Sequence, residues 1–227
     1  MNSLKYYINR MPNIPKTLLF NFYYLPFKQA IRFPIFVGGR VKINSLGDRT
    51  ALKVDTTKLG FVQIGSGKGP HGMANRNGCW DISSGARIHF EGKFISNKGL
   101  KFIAKKNAEL FFGDGTTMGP NGMILCEKKI SIGKECMLSW NVQLMDSDGH
   151  PIFVDGECIN YPKEITLGDH IWCAENVTIL KGSRIPDECI IGSHAVVTGS
   201  KYNEHDIIAG CPAKTIKSNA TWSRTDF

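Results

Sequence analysis

The stretch from Leu167 to Val197, LGDHIWCAENVTILKGSRIPDECIIGSHAVV, decides the fold. Leu167, Cys173, Ile179, Ile185, Ile191 and Val197 recur every six residues, and Ile171, Val177, Ser183, Cys189 and Ala195 each follow four places later. An α-helix repeats its apolar positions about every 3.6 residues and a strand about every 2. A strict six demands a short strand plus a turn per repeat, and the array built from such units is a stacked parallel β-helix. Each coil leaves an apolar edge that only the next coil covers, so the core exists only as an array.

Upstream the period continues less cleanly. Ile132, Leu138 and Leu144 are six apart, with Cys136 and Val142 in the following small or β-branched positions. Phe112, Met118, Ile124 and Ile130 hold one six-residue series, and Ile82, Ile88, Phe94 and Leu100 another. The phase jumps by two between Ile130 and Ile132, which an inserted pair of turn residues would cause, and Lys128-Lys129 is the polar place for it. The reading is all-β: a parallel β-helix over 35–202, a short amino-terminal extension over 1–34, and a carboxy-terminal tail over 203–227.

A chain of 227 residues with 42% apolar content can bury one full core, and no flexible interdomain linker interrupts it. The seven Cys form no CxxC pair, and several occupy inward repeat positions where a thiol serves as a small hydrophobe. A reducing, cytoplasmic setting is the expectation.

The net charge of +8 is unevenly spread: residues 1–47 contain no Asp or Glu but carry Lys5, Arg10, Lys16, Lys28, Arg32, Arg40 and Lys42. Interleaved are Tyr6, Tyr7, Phe20, Phe22, Tyr23, Tyr24, Phe27, Phe33 and Phe36. The apolar run near Thr17–Phe27 is too short and broken to span a bilayer, and the first ten residues lack the apolar block and cleavage site of a secretory signal. Two roles stay open for residues 1–34: a cap on the open end of the solenoid, or peripheral contact with the inner face of a membrane. Nucleic acid is not an expected partner, because no recognised binding module is present and later cations are interleaved with acids.

The hexad stops at Asp146-Ser147-Asp148-Gly149-His150-Pro151-Ile152 and resumes at Ile165, leaving a polar loop over 151–164. A loop ejected from a rigid solenoid beside a His and several carboxylates is a natural place for catalysis.

Here the chain resembles the hexapeptide-repeat acyltransferases, and within them the galactoside and maltose acetyltransferases and the O-acetyltransferases of bacterial surface polysaccharides. The resemblance rests on Ser131-Ile132-Gly133, on Ser139-Trp140-Asn141-Val142-Gln143-Leu144, and on Gly149-His150-Pro151-Ile152 with Gly156-Glu157. It continues in Ile165-Thr166-Leu167-Gly168-Asp169-His170-Ile171-Trp172 and in the tail Ala209-Gly210-Cys211-Pro212-Ala213-Lys214, and covers about residues 110–217. It implies a left-handed helix, a homotrimer, acetyl-CoA as acyl donor in grooves between subunits, and a carbohydrate acceptor. The handedness comes from the resemblance alone, since parallel crossovers are generally right-handed.

Acetyl transfer to a sugar hydroxyl needs a base to take the hydroxyl proton, and histidine suits neutral pH. His150 is the one histidine at the broken repeat; His71, His89, His170, His194 and His205 read as solvated or structural. A carboxylate should hold the other ring nitrogen. The resemblance points to Glu157, with Asp148 and Asp146 as alternatives, although that pair would equally serve only to solvate a turn. For the acceptor, Asn121 falls where the family has a sugar-contacting Asn, Trp140 or Trp172 offers a stacking surface, and Asp146 adds a polar contact.

The resemblance places Trp172, Cys173, Ala174, Ser193, Lys201, Pro212 and Lys214 along the donor, with the lysines, Lys217 among them, facing phosphates. Ala174 departs from the family's usual glycine and would narrow the groove. No metal is expected: the zinc hydratases of this fold use His pairs five apart, and no two His here have that spacing. N-acetylation of an amino-sugar nucleotide and a non-catalytic scaffold remain the alternatives. The basic first 47 residues are too short for the nucleotide-binding domain that usually accompanies the former.

Overall fold

The computed structural model describes residues 12–67, 77–199 and 201–225. Lys5, Tyr6, Tyr7 and Arg10 of the basic aromatic stretch, and His71, lie outside them. The chain winds into a left-handed parallel β-helix with three faces. The first sheet has nine strands, starting at Ile35–Val37 and ending with Ala213–Lys217. The second has seven, from Val41–Ser45 to Val196–Val197, and the third six, from Leu52–Val54 to Arg184–Ile185. Pairing within the coils is parallel; the closing hairpin of Ile207–Gly210 with Ala213–Lys217 is antiparallel.

The hexad positions line the core. Leu167, Cys173, Ile179, Ile185, Ile191 and Val197 are buried, as are Ile171, Val177, Cys189 and Ala195. Ser183, the one polar member, is also buried and donates to the Leu180 and Val197 carbonyls at 2.6 and 3.2 Å, so its hydroxyl is satisfied.

From the coil of Phe90 onward the irregularity has one location. On the third and first sheets the inward positions Phe90, Phe112, Ile132 and Leu167 pair in register, as do Ser96, Met118, Leu138 and Cys173. On the second sheet Phe102, Ile124, Leu144 and Ile179 do the same. In these coils the step from third sheet to first, and from first to second, is six residues. The corner from second to third varies instead: Phe102 to Phe112 is ten residues, Ile124 to Ile132 eight, Leu144 to Leu167 twenty-three, and Ile179 to Ile185 six.

The two-residue phase jump therefore falls at this corner, beside Lys128, and the loop over 151–164 is a longer insertion at the same corner one coil later. In the series Ile82, Ile88, Phe94 and Leu100, the last three step by six on the second inward position of their coils, two residues before Phe90, Ser96 and Phe102. All four are buried, but Leu100 precedes the strand Lys101–Ala104, and the in-register partner of Trp80 is Phe102.

The wider coils are filled by larger side chains. Trp80 stacks on Phe102 with centroids 4.7 Å apart, and Phe90, Phe94 and Phe112 pack at 4.7–5.0 Å.

The amino-terminal extension closes this end. Helix α1 (Ile14–Tyr24) is started by the Asn13 side chain, which accepts from the Lys16 N–H, and by Pro15 in its first turn. It buries Thr17, Phe20, Asn21 and Tyr24. Asn21 donates to the Ile35 carbonyl at 2.7 Å and accepts from the Ile35 N–H at 3.2 Å, while Thr17 accepts from the Val37 N–H at 3.1 Å. Two side chains thus satisfy an edge strand that would otherwise offer its backbone to another chain. A short helix α2 (Phe27–Ala30) follows. No helix among the described residues is long and apolar enough to cross a membrane.

Candidate active site

The loop between Met145 and Ile165 is fastened at its root by Asp146. This side chain is fully buried, and its carboxylate accepts from the Glu127, Lys128 and Lys129 N–H groups at 2.7, 2.8 and 2.8 Å. It thereby ties the ejected loop to the same corner one coil earlier. With its oxygens taken by backbone donors and no exposed surface, Asp146 is a structural anchor rather than the expected sugar contact. Lys163 returns the loop by donating its N–H to the Asp146 carbonyl at 2.9 Å.

Beyond the anchor, Asn160 organises the chain. Its amide donates to Asp148 at 2.7 Å and to the His150 carbonyl at 2.8 Å, and its oxygen accepts from the Ile152 N–H at 2.6 Å. Lys181, on the neighbouring coil, donates to the Asp148 carboxylate and to the Asn160 carbonyl. The Lys181 ammonium and the Asn160 amide hold the Asp148 carboxyl below the ordinary aspartate range. Neither Asn160 nor Lys181 stood out in the sequence, because a lone Asn and a lone Lys carry no spacing signal.

The far side of the loop is a hairpin in which Val154 faces Glu157 and Phe153 faces Cys158. Asp155 and Gly156 at its turn have φ of +49° and +82°, as a two-residue type I′ turn requires. His150 and Glu157 are exposed, and neither the imidazole nor the Glu157 carboxylate has a partner among the described residues. The backbone of His150 is thus fixed while its ring is uncommitted.

The other expected residues lie elsewhere on the triangle. Asn121 (φ +59°) sits at the corner between the first and second sheets, in a ladder of left-handed positions with Asn141, Asn176 and His194. The Asn141 amide donates to Asn176 at 2.9 Å, and the Trp140 carbonyl accepts from the Asn176 N–H at 3.0 Å. Asn tolerates positive φ better than most residues, which gives Asn121 a conformational role whatever it binds. His170 and His205 occupy left-handed positions at the remaining corner, where His170 bonds Glu188 at 2.7 Å and stacks on Trp222 at 4.2 Å. His89, on the outer face of the third sheet, meets Asp55 at 2.6 Å.

On the first sheet, Trp172 is half-buried, and its indole N–H is buried without a hydrogen-bond partner among the described residues. Cys173 next to it points into the core, where burial raises its thiol well above the ordinary value. Its side chain therefore cannot meet a ligand, and the expectation that Cys173 touches the donor is corrected to a packing role. Ala174 donates its N–H to Ile191 at 2.8 Å. Ser193 donates to Glu175 at 2.6 Å, and Lys201, Pro212 and Lys214 are exposed toward the carboxy-terminal end.

Buried Asp206 braces this end by accepting from the Asn203 N–H, Thr215 and Ser218 at 3.0, 2.8 and 2.6 Å. Among the described residues no group of three or more His, Cys, Asp and Glu is placed to hold a metal ion.

No family model matches the chain. A polysialic acid O-acetyltransferase of Neisseria meningitidis is 39% identical over 157 residues, covering 65% of this chain and 73% of that one. The chain belongs to the hexapeptide-repeat acetyltransferases. A putative lipopolysaccharide biosynthesis O-acetyl transferase of Escherichia coli strain K12 is 29% identical, over 61% of this chain and 75% of its own length. Among solved structures, the polysialic acid O-acetyltransferase OatWY superposes with a TM-score of 0.55 at 31% identity, covering 83% of this chain and 90% of that one. As a hexapeptide-repeat acetyltransferase, the chain is an enzyme whose candidate residues lie on separate faces and corners of one subunit.

Proposed function

We propose that this enzyme moves an acetyl group from acetyl-CoA to a hydroxyl of a bacterial surface polysaccharide or its lipid-linked precursor, with His150 as general base. The carrying observation is the uncommitted imidazole of His150 on a loop whose backbone Asp146 and Asn160 hold in place. The surface glycans named for the similar enzymes support the acceptor class.

One ring nitrogen of His150 takes the hydroxyl proton as the sugar oxygen attacks the acetyl carbonyl, and returns it to the departing sulfur as the thioester breaks. Glu157 accepts from the other ring nitrogen and stabilises the imidazolium. Asp148, already engaged by Lys181 and Asn160, holds the loop instead. Acetyl-CoA supplies the activated thioester. The fit to this chain rests on the Trp172 indole N–H, a buried donor lacking an acceptor, and on the exposed Lys201 and Lys214, whose charge suits phosphates.

We infer a homotrimer as the working form. His150 and Glu157 leave the corner between the second and third sheets, Trp172 lies on the first sheet, and Asn121 and Trp140 lie at another corner. Residues so divided converge when the loop of one subunit reaches the wall of the next, and the loop's exposed Ile152, Phe153, Val154, Ile159 and Tyr161 are the apolar surface such a contact would cover. Seven free cysteines, four of them buried, suit a cytoplasmic setting.

The test is release of free coenzyme A from acetyl-CoA against a panel of monosaccharides, oligosaccharides and lipid-linked glycans, with sedimentation of the same sample. Glycan-dependent release by a trimer of the 25.2 kDa chain is expected. Release with no glycan in the panel, or full activity from a stable monomer, would overturn the reading.

A further inference from the structure

Cap and membrane contact were competing roles for the amino-terminal segment, yet α1 has two faces. Thr17, Phe20, Asn21 and Tyr24 point inward and close the first strand. Ile14, Leu18 and Phe22, spaced at four, run along a neighbouring side that faces outward and are 64%, 41% and 42% exposed. The stripe continues through ring contacts of Phe22 with Phe27 and Phe33 at 6.2 and 6.0 Å. Phe27 and Ile31 are 71% and 49% exposed, and through Gly60, whose N–H donates to the Phe33 carbonyl, the patch reaches exposed Leu59.

A contiguous run of large apolar side chains on a surface marks an interaction site. Its charge says with what. Lys28, Arg32 and Lys58 lie within or beside the patch, and the first 47 residues contain no acid at all. A protein partner commonly brings charges of both signs, and a second copy of this face would bring the same positive charge against it. An anionic lipid surface satisfies both features together, with aromatic and aliphatic side chains entering the headgroup boundary and lysine and arginine meeting phosphates.

We propose that the outer face of α1, with Phe27, Ile31 and Leu59, docks this enzyme on an anionic phospholipid surface while the inner face caps the solenoid. The capped end would then lie on the membrane. The loop leaves the solenoid four strands along the first sheet, so with a strand spacing of about 4.8 Å the His150 loop stands about 20 Å from it. Resting on the activity proposed above, this places the acetylated sugar several units out from a lipid-bound end. Lipid binding itself does not depend on that activity.

The full chain is tested by co-sedimentation with vesicles of phosphatidylglycerol and phosphatidylethanolamine, and separately with phosphatidylcholine vesicles, at low and high salt. We expect binding to the anionic vesicles that salt weakens. The pair Phe27→Glu and Ile31→Glu should weaken it at least tenfold, and Lys28→Glu with Arg32→Glu should weaken it and flatten the salt dependence. Melting temperature and acetyl transfer to a soluble acceptor should be unchanged in both pairs, which separates loss of docking from loss of the enzyme.

The proposal is overturned if the wild-type chain stays in the supernatant, if both pairs bind as well as wild type, or if phosphatidylcholine binds equally. It is also overturned if Phe27→Glu with Ile31→Glu abolishes self-association in the absence of any lipid binding, which would make the patch an interface between copies.

Discussion

The coils from Leu167 to Val197 and the loop that precedes them are neighbours in the chain and obey different constraints. In the coils every sixth residue is sealed in the core, and even the polar Ser183 has its hydroxyl satisfied. In the loop the apolar side chains face outward, and the His150 and Glu157 side chains have no partner among the described residues. The coils are explained by what they pack against within one chain. The loop's composition answers to something the single chain does not contain, and its chemistry is the place to test that.

The sharpest break in the comparison is His150→Ala. If His150 is the general base proposed above, removing its ring, which has no packing role, should lower turnover by a factor on the order of 10³ or more while leaving melting temperature and donor affinity at wild-type values. Coenzyme release and donor binding measured on one preparation check this. A variant that turns over normally would return His150 to the solvated histidines.

Asp146→Ala attacks the boundary between the two regions. It would strip the acceptor from three backbone N–H groups and cost about 3 kcal/mol, since each buried orphan costs roughly 1–3 kcal/mol and the corner can partly relax. Melting temperature should fall by several degrees, and turnover with it as the loop loses its root. A fall in turnover with no fall in stability would show instead that Asp146 serves the acceptor directly.

How much of this was legible follows from the same contrast. Packing writes periodic signals, so the hexads from Leu167 onward announced the solenoid, and the two-residue jump at Ile130 marked the variable corner. The wider aromatic coils were harder to read, because strands such as Arg87–Phe90 turn two residues inward, Ile88 and Phe90, and a step of six can be counted from either. His150 stands out in the sequence because it interrupts a period. Asn160 and Lys181 do not, because contacts made across a loop and between coils have no fixed spacing. Asp146 and Cys173 were misplaced for a related reason: residue type suggested chemistry, and only burial shows that both belong to the wall.

Within the loop, Glu157→Gln sharpens the choice of carboxylate. If Glu157 orients the imidazole, turnover should drop by a factor on the order of 10² with donor affinity unchanged, as when the wrong tautomer is left in a triad. The change should leave stability near wild type, since Glu157 is exposed and makes no contact that the fold needs.

The smallest expected effect belongs to Asp148→Asn, and its smallness is informative. Asp148 is paired to Lys181 and Asn160 on a partly exposed surface, where an ion pair contributes under about 1 kcal/mol. Its carboxyl is held below the ordinary range, so the stabilisation is fully present above the unfolded aspartate value and is lost as pH falls through the lower folded value. Melting curves of wild type and Asp148→Asn should differ slightly at neutral pH and converge in acid, with turnover within a few-fold of wild type. Should Asp148→Asn instead lose more turnover than Glu157→Gln, the orienting role passes to Asp148. Lys181 would then have to release it when the acceptor binds, and the loop would be a moving part rather than a fixed one.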